Sequence, residues 1–281
     1  MLLEASRVLE VIHDRGVEAS PRWLLGSAFL VKQGLAVTAA HNLGGDQGKA
    51  ETDCTVVRCL DGTEHKVTAV LAVNETLDIA LLAVPDLTAT PIAIACIDRQ
   101  RIEVVRDVMA AGFPNYKYSA DKPRSTRRQP AQPVGSVGTV EDLSAGTLTL
   151  KLEAGEPAPV PTAEGSPWEG LSGAGVIVRE ALLGIAIEHC PAEGLGSIRF
   201  VPFTQLSTLV PGKRALFCAL LDIVDPDTLP PVNSASLANV RPDVAADLIE
   251  ITRLEEQGLL LRVEARNLRI LAYKKAKGWS K

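Results

Sequence analysis

From Trp23 to about Ala111 the chain alternates short apolar runs with polar breaks. The runs are "SAFLV", "LAVTAA", "CTVVRCL", "KVTAVLAV", "DIALLAV" and "DVMAAGF". They are rich in β-branched residues and too short for helices, which predicts strands. "KQG", "LGGDQG" and "LDGTE" separate them with turn chemistry. A second set follows: "VGSVGTVED", "GTLTLKLE", "GAGVIV", "ALLGIAIEHC" and "GSIRFVPF". Its spacing is similar, without a residue-level repeat, so two β units in tandem are expected, as barrels or sandwiches. After Pro211 the period changes. "RALFCALLDIV" and "PDVAADLIEITRLEEQGLLLRVEARNLRILAYKKA" have helical spacing, with Pro242 near one start and Gly258 as an interruption.

The pattern divides the chain into an N-terminal segment (1–21), a first β unit (22–115), a connecting loop (116–133), a second β unit (134–212) and a helical C-terminal region (213–281). Residues 114–133 hold four prolines and five Lys/Arg with no period, the composition of a solvated loop. A chain of 281 residues, 46% hydrophobic, can bury a sizeable core. Its net charge of −5 gives no global basic face, so nucleic acid is not an expected partner. Residues 262–281 carry seven Lys/Arg against one Glu and are read as a solvated helix end.

Pro85 and Asp98 cut the apolar runs before any reaches the length of a membrane span. The N-terminus carries acids and no basic start, and is not read as a secretory signal. Five cysteines without a C-x-x-C spacing are read as small buried hydrophobes, with no disulfide framework and no zinc site. A cytoplasmic location is expected from that usage. His13 and His65 are read as surface residues.

Candidate chemistry gathers at three strand ends. His41 closes "GSAFLVKQGLAVTAAH", a strand, a turn and a second strand. Asp78 stands at the entry to "IALLAV", where a carboxylate is costly unless paired. Ser172 sits in "GLSGAG" among residues almost without side chains. Hydrolysis by serine needs a hydroxyl, an adjacent base and a carboxylate that orients the base. It also needs backbone donors for the oxyanion. His41, Asp78 and Ser172 supply the first three, and the N–H groups of Gly170 and Ser172 supply the donors. No metal or organic cofactor is required.

These stretches resemble the trypsin-like serine peptidases of chymotrypsin fold. "TAAH", "DIALL" and "GLSGAGV" resemble the family's histidine, aspartate and serine motifs, in the family's order. The resemblance covers roughly residues 22–212. It implies an all-β fold of two β-barrels, here with a helical C-terminal extension. It also implies a protein or peptide substrate and an acyl-enzyme intermediate. By the same resemblance the primary substrate pocket is lined by Ser166 and by Ile187, Glu188 and His189. A neutral Ser166 argues against a pocket for Lys or Arg. His189 facing the pocket would favour an acidic side chain and Glu188 a basic one; equally, both point outward.

"GSPWEGLSGA" and "GIAIEHCPAEG" are similar to segments of intracellular bacterial members, often linked to nucleotide-binding or effector-associated adaptor modules in conflict systems. That likeness implies a regulatory or effector partner for residues 213–281. Leu171 replaces the aspartate that pairs with a newly cut N-terminus in secreted members, so activation by N-terminal insertion is not expected. Ordering of the oxyanion loop by a partner or by the C-terminal region is expected instead. Ala174 replaces a glycine.

Two other readings compete. An α/β-hydrolase fails on Ala174 and on the order of its triad. A non-catalytic module on the same fold, acting as an adaptor through the helical region, is the alternative from another class.

Overall fold

The computed structural model describes residues 4–44, 54–100, 102–119, 128–140, 142, 146–153, 157, 166–194 and 196–233. The chain divides after Val232, and the fold described is that of residues 1–232. The helical pattern from Pro242 onward lies outside the described residues.

Seven strands make the first sheet: β1 (Val8–Asp14), β2 (Trp23–Lys32), β3 (Leu35–Thr38), β4 (Thr55–Arg58), β5 (Glu64–Lys66), β6 (Ala69–Asn74) and β7 (Ile79–Ala83). Their order is β5-β4-β1-β2-β3-β7-β6, a half-barrel in which every pairing is antiparallel. Seven more follow: β8 (Ala93–Ile94), β9 (Val104–Ala111), β10 (Val134–Gly138), β11 (Leu148–Leu152), β12 (Gly175–Val178), β13 (Ala181–His189) and β14 (Ser197–Pro202). Pairing of β12 with β13 closes six of them into a barrel, β9-β10-β11-β14-β13-β12, and β8 adds to β13 in parallel. Closure removes the free edges that an open sheet would present.

Apolar residues of the strands fill three cores. One lies within the first sheet around Leu9, Val11, Leu30, Val57 and Leu82. A second fills the closed barrel around Val108, Val137, Leu148, Leu150 and Phe200. The third joins the two, with Phe29, Val37, Ile79 and Leu81 from the first sheet against Ile177, Leu182 and Ile185 from the second. The helix α1 (Pro211–Leu221) adds Phe217, Cys218 and Leu221 to this joint. Pro211 at its first position supplies a pre-set φ and lacks an N–H the helix cannot use there.

Three boundaries differ from the sequence reading. The segment 1–21 supplies β1, a central strand of the first sheet, because its run "VLEVIH" is buried along its length, with Glu10 and His13 partnered inside the sheet. The second barrel begins with β9 at Val104, not at 134, since β9 pairs with β10 and β12. Strand composition names the element but not its partner, which lies beyond an intervening loop. The loop at 116–133 is also not all solvated. It is anchored by bridges Gly112–Ala131 and Tyr118–Arg128, and Arg128 is 8% exposed. His13 is likewise buried, with Nδ1 2.8 Å from Thr55 Oγ1, because β1 runs inside the sheet.

Candidate active site

His41 follows β3 in a 3-10 turn, Ala40–Leu43, which Gly44 ends in the left-handed region. Asp78 closes the turn between β6 and β7 and is itself left-handed, at φ 52°. That turn aims both carboxylate oxygens at one residue. Oδ1 accepts the backbone N–H of His41 at 2.9 Å, and Oδ2 lies 2.6 Å from His41 Nδ1. With Nδ1 donating to the carboxylate, Nε2 is left as the acceptor. The imidazole is 51% exposed and Asp78 23%, so Asp78 is the sheltered member and the ring presents its far edge outward. Nε2 has no hydrogen-bond partner among the described residues.

Ser172 stands in the loop before β12. Its carbonyl accepts from Ser27 N and from Asn42 Nδ2, each at 2.8 Å, which ties it beside the residue that follows His41. Ser172 Oγ donates to Ile187 O at 3.0 Å, and no hydrogen bond joins it to His41 among the described residues. Ile187 is free to accept because a bulge interrupts the β13–β14 register between Ala186 and Glu188. Gly173 has no room for a side chain, since a Cβ there would sit 2.0 Å from Ser27 O.

The backbone around Ser172 is arranged by its carbonyls. Glu169 O accepts from Asn115 N at 2.7 Å and Leu171 O from Ala174 N at 2.9 Å. In a planar trans peptide the N–H points opposite the C=O. The N–H groups of Gly170 and Ser172 are therefore turned away from these acceptors, and neither has a partner among the described residues. Leu171 packs in the barrel core at 1% exposure.

These elements share one family. A comparison with known families matches residues 26–185 to the trypsin-like peptidase domain. The chain belongs to the trypsin-like peptidases. The half-barrel and closed barrel are the chymotrypsin-type fold of that family, and the match spans the strands that carry His41, Asp78 and Ser172. Among solved structures the peptidase is similar to the Rv3671c protease of M. tuberculosis in its active form, at 15% identity over 82% of this chain and 87% of that one, with a TM-score of 0.46. It is also similar to an inactive form of the same protein from strain H37Rv carrying a serine-to-alanine mutation, at 14% identity over 78% and 88%, TM-score 0.44. No curated protein matches the chain.

The pocket residues expected from the sequence separate into two groups. Ser166 Oγ lies 2.6 Å from His189 Nδ1 and accepts from Trp168 N at 3.1 Å. Ile187 carries the carbonyl that holds Ser172 Oγ. Glu188 is exposed and pairs with Arg199 at 2.8 Å, opposite it in the β13–β14 register, and it does not join Ser166 and His189.

Sequence reading missed the residues that hold the loop. Ser27 is fully buried, donates to Gly170 O at 2.7 Å and accepts from Phe113 N at 2.8 Å. Its signal was the Gly-Ser at the opening of "GSAFLV". Asn42, Asn115 and Arg128 carried no signal beyond polarity. Cys59, Cys96, Cys190 and Cys218 are free thiols, and burial raises the pKa of each, that of Cys96 to about 11. Thiols so disfavoured as thiolates are poor nucleophiles at neutral pH. No helix among the described residues is long and apolar enough to cross a membrane.

Proposed function

We propose that this peptidase is a serine endopeptidase that cleaves a protein substrate by a His41-Asp78-Ser172 triad. The observation that carries the reading is the doubly bonded His41–Asp78 pair, set beside a serine loop whose two N–H groups have no acceptor among the described residues. When substrate enters, Ser172 Oγ leaves Ile187 O and turns to His41 Nε2. It attacks the scissile carbonyl while His41 takes its proton. Gly170 N–H and Ser172 N–H hold the developing oxyanion. His41 then gives the proton to the departing amine, leaving an acyl group on Ser172. Water, deprotonated by His41, releases the acyl group and restores the hydroxyl. Asp78 keeps His41 in the tautomer with Nε2 free and stabilises its charge, without itself taking the proton.

Ser166, Ile187 and His189 are proposed to line the primary pocket, with Glu188 on its outer rim. The finer setting is proposed on the resemblance of "GSPWEGLSGA" to intracellular bacterial members: a cytoplasmic peptidase of a defence or signalling system, governed by a regulatory or effector partner bound through residues 213–281. Labelling with a fluorophosphonate probe tests the chemistry. Wild type is expected to label at one site, and Ser172→Ala to lose the label entirely. Folded wild type that takes no label would favour the non-catalytic module instead.

A further inference from the structure

The oxyanion loop is fastened from within the molecule, by residues unconnected with the triad. Gly170 is left-handed, at φ 86°, and a Cβ added there would fall 2.2 Å from Arg128 Nη1 and 2.7 Å from Phe113 O. Arg128 therefore packs directly on the glycine of the loop. Its Nη1 donates to Phe113 O at 3.4 Å and its Nη2 donates to Asn115 Oδ1. Asn115 in turn holds Glu169 twice, by N to Glu169 O at 2.7 Å and by Nδ2 to Glu169 Oε2 at 3.0 Å.

The first of those two bonds, from the Asn115 backbone, sets the 169–170 peptide and so the direction of the Gly170 N–H, and the Asn115 side chain, bonded to Glu169 and Arg128, holds that backbone in place. Behind Arg128 lies Glu10, 1% exposed, with Oε1 3.9 Å from Arg128 Nε and Oε2 bonded to Arg58. Glu10 on β1 and Arg58 on β4 face each other across the strand pair. A buried guanidinium needs such a counter-charge, because desolvation works against its charged form.

The geometry points to Arg128 and Asn115 as positioning residues that pre-set the oxyanion peptide, with Glu10 and Arg58 as their buried anchor. The brace runs from the first sheet through the inter-barrel segment to the loop. It orders the loop from within the chain, beside any partner, and gives the loop its orientation where Leu171 supplies no carboxylate. The inference rests on the peptidase reading for its catalytic consequence, but the brace itself is a statement about one peptide plane.

Two variants of the full chain test it. Arg128→Met removes the fork. Asn115→Ala removes the side-chain link and leaves Glu10, Arg58 and Arg128 in place. Hydrolysis of a p-nitrophenyl ester is measured with saturation, and amide deuterium exchange is followed over residues 166–174. Both variants are expected to lower kcat about 10- to 100-fold with KM within about threefold. That is less than the roughly 10²–10³-fold cost of removing an oxyanion donor outright. Exchange over 166–174 should quicken about tenfold. Folded variants with kcat within about twofold of wild type would overturn the proposal, as would a loss carried by KM alone. A kcat loss with unchanged exchange would overturn it too. Should Arg128→Met fail to fold, Asn115→Ala decides by the same readings. Should wild type neither label nor hydrolyse the ester, the peptidase reading fails on its own, and exchange alone decides the brace.

Discussion

Asp78 concentrates the residue-scale logic of the site. Its left-handed backbone costs most side chains about 1–2 kcal/mol, and aspartate tolerates it better than most. In return both oxygens reach His41, one on the backbone and one on the ring. An amide in place of the carboxylate presents an N–H where an acceptor is needed, and so turns the imidazole to the wrong tautomer. Asp78→Asn is therefore expected to lower kcat about ten-thousand-fold while leaving circular dichroism unchanged. A rate near wild type would mean that another group orients His41. In the proposed mechanism, the lack of a bond between Ser172 Oγ and His41 among the described residues is expected, since such hydrogen bonds commonly form only in the complex.

At the scale of elements, β1 and α1 matter more than their places in the sequence promised. β1 pairs with both β2 and β4, and α1 drives Phe217 and Leu221 into the joint between the two sheets. Phe217 is 1% exposed, so Phe217→Ala leaves a cavity costing about 3–5 kcal/mol, measurable by urea unfolding. A change below about 1 kcal/mol would mean that the helix is not part of the cooperative unit. For the same reason a fragment of residues 22–212, the extent of the family resemblance, is expected not to fold. It lacks the central strand of the first sheet and the helix that seals the joint. A dispersed amide spectrum from that fragment would contradict this account. The inter-barrel segment teaches the same lesson. Its composition is that of a solvated loop, yet Arg128 within it is buried against Gly170 and Glu10.

Across the described fold, two β units of unlike closure share one apolar joint, and the residues of the proposed triad come from both sides of it. His41 and Asp78 belong to the half-barrel, and Ser172 to the closed barrel. The described fold ends near Asn233 with α1 already in the joint. A chain ending at Asn233 is accordingly expected to take the fluorophosphonate label at the rate of the full chain. A label lost on that truncation would make residues 234–281 necessary to the site itself, beyond any partner they recruit.

The class of fold, the order of the chemical groups and the short runs that become strands are legible in the amino-acid order. Alternating and β-branched runs bounded by turn residues are local properties, and so is a serine among glycines. The motifs around His41, Asp78 and Ser172 were legible for that reason, each at a strand end, and the pairing of His41 with Asp78 is seen in the fold. Which strands pair, which polar residues are buried, and what holds the serine loop come from the folded chain alone. Asn115, Arg128 and Glu10 lie far apart in the chain with no local pattern to mark them, and the Gly-Ser at Ser27 marks a strand opening without its partner. Their roles arise because a buried charge must find its partner and a buried carbonyl its donor, and only the folded chain brings those groups within reach.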